Sequence, residues 1–174
     1  MDTTCLPASL SRNDKDVLFF PVSTTKLIVM SLVTFGLYRY YWLYQNWKLV
    51  ARHTCRDLSP FGRTYFWPFY CNSLFNLVKT TAQSNSVEAF FSPVLITCLW
   101  IGLALCLRLP DPYRLIELLA FTLLIPVQQA VNALNDQVAP DHDRNTRFTR
   151  LNVVGIVVGG LGTLLIIYAT FIPD

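Results

Sequence analysis

The chain has 174 residues, of which 53% are hydrophobic and 14% are charged, and its mean hydropathy is +0.40. Soluble domains carry roughly 25% charged residues, so this composition excludes an ordinary soluble domain and favours an integral membrane protein. The net charge of +3 is small and is spread between apolar segments, which argues against a nucleic acid partner.

Residues 1–20 are predicted to form a retained polar tail, and residues 21–174 one helical membrane domain. Several charged side chains precede any sustained apolar run in the tail, which is not the layout of a signal peptide. The chain contains five cysteines, an odd number, and three of them lie in apolar segments, where free cysteine behaves as a small hydrophobe. All five are predicted to be reduced.

Two short apolar segments come first, at about 24–52 and 64–81. Their uncharged runs of twelve and fifteen residues fall short of the roughly 20 residues that cross a bilayer. Gly36 is predicted to break the first segment, and Pro68 to start or kink a helix in the second. Both segments are therefore predicted to be re-entrant or interfacial.

Three longer apolar segments follow, at about 89–108, 115–136 and 151–172, and each is close to the length of a membrane span. Pro110 and Pro112 predict a short turn that joins the first two spans as a hairpin. The predicted fold is an all-α membrane bundle with three spans.

The distribution of Lys and Arg predicts the orientation of the chain, because short cytoplasmic loops carry the excess of positive residues. If the two short segments do not cross, twelve of the 14 basic residues share one side, and Arg108 and Arg114 lie opposite. If all five segments cross, the two sides carry seven each. The first arrangement is favoured, with a cytoplasmic N-terminal half and the C-terminus outside.

An aromatic and basic stretch, 34–48, follows the break at Gly36. Tyr and Trp prefer the headgroup level of a membrane, so the stretch is predicted to be an interfacial helix whose basic residues meet lipid phosphates. The alternative is an aromatic cage or a docking face for a protein partner. The candidate partner-binding or lipid-binding residues are Arg39, Tyr40, Tyr44, Trp47 and Lys48.

Polar residues repeat with i, i+4, i+7 spacing in two segments, so each set shares one helix face. Because an unpaired polar group in hydrocarbon costs several kcal/mol, the two sets are predicted either to line a polar groove or to be paired with other polar groups. The groove would admit a headgroup or a small solute. The first set is Asn72, Asn76 and Lys79, and the second is Gln128, Asn132 and Asn135.

Other candidate residues give smaller signals. Gly155 and Gly159 lie four apart in an apolar helix, which is typical of close helix packing within a chain or between copies. Glu117 is predicted to pair with Arg114 or reach the headgroups rather than act as a proton relay. No spaced ligand set for a metal is present around 141–145 or at His53, and no cofactor is predicted.

The stretches 22–48, 59–75 and 145–160 together resemble a family of small bacterial multi-pass inner-membrane proteins that contain a domain of unknown function. The resemblance implies a bacterial inner-membrane location and no assigned chemistry. The predicted function is that of a non-enzymatic membrane protein that binds lipid or a protein partner. That partner is either another membrane protein or a second copy of this chain. A small transporter or channel component is the alternative. A third hypothesis, an enzyme acting on lipid headgroups, requires Glu117, His53 or His142 in a common pocket.

Overall fold

The computed structural model describes residues 17–54, 57–110 and 112–171. This part of the chain contains α-helices, 3-10 helices and irregular segments but no strand, which confirms the all-helical class. The predicted tail up to residue 16 lies outside the described residues, as do Cys5, Cys55 and Asp111. The helices are α1 (Thr24–Val33), α2 (Leu37–Thr54), α3 (Pro60–Tyr65), α4 (Trp67–Ser84), α5 (Pro93–Leu105), α6 (Ile125–Val138) and α7 (Arg150–Phe171).

The first short segment is a hairpin of two helices. Ser23 caps α1, since its hydroxyl accepts a hydrogen bond from a backbone N–H of the first turn. Beyond α1 the backbone turns through two left-handed residues, Phe35 at φ 48° and Gly36 at φ 80°. The Gly36 N–H donates to the Ser31 carbonyl at 2.7 Å, the bond that closes a Schellman motif. The break predicted at Gly36 therefore reverses the chain.

Both ends of this hairpin lie on the same side of the bundle. The His53 ring at the end of α2 is 3.1 Å from the Val17 carbonyl, which precedes α1. In the middle of α2, the Asn46 side-chain oxygen accepts a hydrogen bond from the Phe20 N–H at 3.1 Å. The turn at Gly36 is consequently the far end of the hairpin.

The second short segment also turns back, at Phe66 between α3 and α4. We call this segment the second hairpin. Ser59 caps α3 by accepting from the Gly62 N–H, and Pro68 lies in the first turn of α4, where its missing N–H leaves no intrahelical bond unmade. At the start of α4, the Trp67 ring stacks on Trp100 of α5 with centroids 4.8 Å apart.

The far ends of the two hairpins meet, and their near ends also meet. The Arg39 guanidinium carbon lies 5.8 Å from the centre of the Trp100 ring, so the start of α4 is beside the α1–α2 turn. At the opposite end, His53 of α2 shares a cleft with Thr81 of α4. The Lys79 ammonium donates to the Phe91 carbonyl at 2.9 Å just before α5 begins. Both short segments thus start and finish on one side.

Within the described residues, two helices are long and apolar enough to cross a membrane, whereas three spans were predicted. They are Leu115–Val138, with 44% of its most apolar window buried, and Asn152–Phe171, with none of that window buried. The first combines a 3-10 helix over Tyr113–Leu124 with α6. The predicted span at 89–108 is the shorter apolar helix Pro93–Arg108, which is α5 and one 3-10 turn.

The α7 helix packs on α1 through its glycines. A Cβ on Gly159 would lie 2.9 Å from the Val33 carbonyl oxygen, and one on Gly155 would lie 3.6 Å from the Met30 methyl carbon. The Thr163 hydroxyl donates to the same Val33 carbonyl at 2.9 Å. Both predicted packing glycines therefore face a helix of their own chain, and glycine at 159 is required by a backbone contact.

Gly159→Ala is expected to destabilise the protein by about 1–3 kcal/mol, because the new methyl group must push α7 away from α1. The control is Gly162→Ala, where a Cβ would meet nothing within 4 Å and the better helix propensity of alanine contributes roughly 0.5–1 kcal/mol of stability. Thermal unfolding of both variants in detergent measures the difference. Equal melting temperatures would show that the close approach at Gly159 does not constrain the packing.

Candidate functional site

The candidate surface on α2 is divided by the fold. Arg39 and Trp47 are buried at 2% exposure, whereas Tyr40 and Lys48 are exposed and Tyr44 is half-buried. Arg39 and Trp47 therefore do not share one exposed face with Tyr40 and Lys48, and a binding role for these five residues stays a prediction. The face of α2 that contains Arg39 is turned into the bundle.

Arg39 forms a buried ion pair with Glu117. Its Nη2 donates to Glu117 Oε1, and its Nε donates to the Gly36 carbonyl at 3.1 Å. Both charged side chains are at most 4% exposed. Glu117 is thus held by a buried partner on α2, whereas the side chain of Arg114, its predicted partner, lies outside the described part of the structure.

One donor of this pair is unused. Arg39 Nη1 is buried and has no hydrogen-bond partner among the described residues. The guanidinium also lies 5.8 Å from the Trp100 ring centre, close enough for a cation–π attraction. A buried charge pair is expensive to remove from water, so its effect on stability depends on both partners being present.

The polar set on α6 binds the chain's own extended segment before α1. Gln128 Nε2 donates to the Val22 carbonyl at 3.1 Å, and its Oε1 accepts from the Trp42 indole N–H at 2.5 Å. Asn132 donates to the same Val22 carbonyl at 3.0 Å. Asn135 makes both kinds of bond with Phe19, donating to its carbonyl at 2.8 Å and accepting from its N–H at 3.4 Å.

These bonds hold residues 17–23 in a cleft between α2 and α6. The segment contributes two buried side chains, Phe19 and Val22, to the hydrophobic core. Its main-chain groups have no helix or sheet of their own, so the amides supply the hydrogen bonds that buried backbone requires. We refer to Gln128, Asn132 and Asn135 with Asn46 as the amide clamp.

The polar set on α4 does not join the amide clamp. Asn76 donates to the carbonyl and side-chain oxygens of Asn72 at 3.0 and 3.2 Å, and Lys79 bonds the Phe91 carbonyl. Within the described residues, no hydrogen bond links the two sets. The groove between them stays a prediction, and the hydrogen bonds of these side chains are made within each region.

Lys26 is a buried cation that the sequence analysis did not single out. Its ammonium donates to Asn145 Oδ1 and to the Arg147 carbonyl, each at 2.8 Å. Burial lowers the pKa of Lys26, and the carboxylate of Asp143 opposes that shift. The residue ties the start of α1 to the loop before α7. A lysine next to a helix cap gives no local signal that a loop 119 residues away will cover it.

The remaining reactive side chains are structural or dispersed. His142 Nδ1 lies 2.7 Å from the Ala139 carbonyl, and His53 contacts the Val17 carbonyl. Within the described residues, no three His, Cys, Asp or Glu side chains are grouped as metal ligands. Cys71 is a buried free thiol whose pKa is raised by burial.

An exposed aromatic surface covers the far end of the second hairpin. Phe69 is 79% exposed, and Tyr65 stacks with Phe61 and meets Phe66 edge-on, with centroids 6.4 and 5.1 Å apart. Tyr40 faces Phe61 and Tyr65 across an open cleft of about 380 Å³. We call Tyr40, Phe61, Tyr65, Phe66 and Phe69 the aromatic surface.

Comparison of the chain with protein-family models, curated proteins and solved structures gave no match. The resemblance to a bacterial inner-membrane family therefore stays a prediction. What can be said of function comes from the placement of polar and apolar groups in this chain.

Proposed function

We propose that this protein is a non-enzymatic multi-pass membrane protein that binds membrane lipid through the aromatic surface and the neighbouring part of α2. The chain would cross the membrane three times, through Pro93–Arg108, Leu115–Val138 and Asn152–Phe171. The two N-terminal hairpins would enter from the cytoplasmic side and return to it. In this arrangement the membrane is a bacterial inner membrane, and the C-terminus is outside.

The observation that carries the proposal is the exposure of α7. The helix is strongly apolar, and none of the residues in its most apolar stretch is buried. A helix that is apolar on all sides requires an apolar environment, and each square ångström left in water forgoes roughly 25 cal/mol. A bilayer supplies that environment along the whole helix, which has the length of a span.

The two hairpins support the placement of the N-terminal half. Each hairpin starts and ends on one side of the bundle. His53 at the end of α2 lies beside the Val17 carbonyl and shares a cleft with Thr81 near the end of α4. The uncharged runs in these segments are too short to cross. Re-entrant segments are stable at membrane depth where protein covers their irregular backbone, and the Gly36 turn is covered by the Arg39 side chain.

The aromatic surface supports lipid as the ligand. Exposed Phe61 and Phe69 would insert among acyl chains, while the Tyr40 and Tyr65 rings place polar tips nearer the headgroups. A contiguous exposed apolar patch on a protein marks an interaction site. Here it is continuous with the short segments that would enter the inner leaflet.

The test is to place single cysteines at positions 69, 85 and 109 in a background without native cysteines. In whole cells, an impermeant thiol reagent is expected to label position 109 and to reach position 85 after lysis alone. A fluorophore at position 69 is expected to be quenched by lipids with a spin label on the acyl chain, while the same fluorophore at position 85 is not. Labelling of position 85 from outside, or a water-exposed position 69, would contradict the proposal.

A further inference from the structure

Arg63 on α3 is a cation held in place by two aromatic rings. Its guanidinium carbon lies 4.5 Å from the centre of the Trp47 ring and 5.0 Å from that of Tyr70. The two rings meet edge-on, with centroids 6.4 Å apart. Cation–π contacts of this kind fix the position of a guanidinium without using its hydrogen-bond donors.

The donors of Arg63 have no acceptor within the described part of the chain, where the side chain forms neither an ion pair nor a hydrogen bond. Trp47 adds another free donor, because its indole Nε1 is buried without a partner. A buried N–H without an acceptor costs about 1–3 kcal/mol. Two neighbouring side chains therefore present unpaired donors.

Both side chains line one cleft of about 320 Å³ between α2, α3 and α4. Polar side chains of α4 complete one wall, with Ser73, Asn76 and Thr80 spaced along the helix. No carboxylate is among the described residues that line the cleft. The site thus has a positive charge and several donors with no acid to neutralise it, which is the composition of an anion site.

We infer that this cleft binds the phosphate group of an anionic membrane phospholipid, with Arg63 as its principal ligand. A guanidinium offers parallel N–H groups that match two phosphate oxygens. The Ser73 hydroxyl can donate to a further oxygen. Trp47 contributes by holding the guanidinium over its ring.

The choice of a lipid over a soluble phosphate follows from what surrounds the cleft. Arg63 lies on the same short helix as Phe61 and Tyr65 of the aromatic surface. Apolar side chains of Val50, Leu58 and Leu77 line the cleft beside the polar ones. A phosphate with acyl chains attached would satisfy both parts at once. The inference rests on the proposed lipid-binding function and names the headgroup chemistry of that surface.

The experiment titrates the full chain in detergent micelles with short-chain phosphatidylglycerol, and in parallel with glycerol phosphate, using tryptophan fluorescence as the signal. Arg63→Gln is expected to weaken phosphatidylglycerol binding about tenfold, the loss of one charge-assisted hydrogen bond or more. Arg63→Lys keeps the charge but not the paired donors, so it is expected to weaken phosphatidylglycerol binding less than Arg63→Gln does. Glycerol phosphate is expected to bind far more weakly than the lipid.

The matched control is Arg52→Gln, which removes an exposed charge from α2 outside the cleft. Thermal unfolding verifies that each variant is folded, and the Arg63→Lys variant carries the test if Arg63→Gln is not. If the Arg52 and Arg63 variants lose the same amount of affinity for phosphatidylglycerol, the effect is one of general surface charge, and the inference is overturned. Tight binding of glycerol phosphate would overturn the assignment to lipid.

The lipid titration and the labelling experiment can fail independently. If position 69 contacts lipid and the Arg63 variants bind phosphatidylglycerol as the wild type does, the cleft is not the phosphate site and the membrane placement stands. If position 69 is in water, the proposed function fails and the lipid assignment fails with it.

Discussion

Glu117→Ala is expected to destabilise the protein by about 3–5 kcal/mol, because it leaves the Arg39 guanidinium buried without its carboxylate. Both side chains are almost inaccessible, and Arg39 Nη1 already lacks an acceptor. The bundle cannot compensate with another acid, since Glu117 is the one acidic side chain that bonds Arg39 in the described part of the chain. Thermal or denaturant unfolding in detergent measures the loss.

Removing both charges together is expected to recover most of that stability. In Arg39→Met with Glu117→Leu, side chains of similar volume fill the same space without a buried charge, which is often neutral or stabilising. Glu88→Ala is the control, since Glu88 is exposed and its loss is expected to change stability by less than about 0.5 kcal/mol. A double variant as unstable as Glu117→Ala would mean that the loss is one of packing and not of charge pairing.

Gln128→Leu is expected to release the segment 17–23 from the bundle and to cost about 3 kcal/mol. The substitution leaves the buried Trp42 indole N–H without its acceptor and weakens the support of the Val22 carbonyl, and each unsatisfied buried group costs about 1–3 kcal/mol. Hydrogen exchange at the backbone N–H groups of Leu18, Phe19, Phe20 and Val22 measures the release directly, and thermal unfolding measures the cost.

The control is the next residue, because Gln129 lies on the same helix turn with its side chain exposed. Gln129→Leu is expected to leave exchange at residues 18–22 unchanged. Asn135→Ala is expected to act like Gln128→Leu at the other end of the amide clamp, since it removes the bonds to Phe19. Unaltered protection in both clamp variants would show that apolar contacts of Phe19 and Val22 hold the segment without the amides.

The helix boundaries were largely accessible to sequence reasoning because they depend on local chemistry. Gly36 permits a positive φ at which most residues are strained. Pro68 and Pro93 lie in the first turns of α4 and α5, where the ring replaces an N–H that has no helical partner. These effects act within a few residues, and the sequence displays them directly.

The candidate site was less accessible because its contacts join distant parts of the chain. Arg39 meets a partner 78 residues away, and no spacing within α2 distinguishes that buried face from an interfacial one. The cleft that Arg63 lines was missed for a related reason. Arg63 among aromatic residues offers a faint signal, but α2 and α4 must meet before Trp47 and Ser73 line the same cleft.

The helical class could be inferred from the amino-acid sequence, as could the apolar character of the long C-terminal segment and the need to satisfy two sets of polar side chains. Those properties follow from composition, length and periodicity, which are read from neighbouring residues. The partners of the polar side chains emerge in the folded chain, because Asn135 bonds the backbone of Phe19, 116 residues earlier. Backbone groups are the same at every residue, so no sequence pattern marks the peptide that an amide will bind.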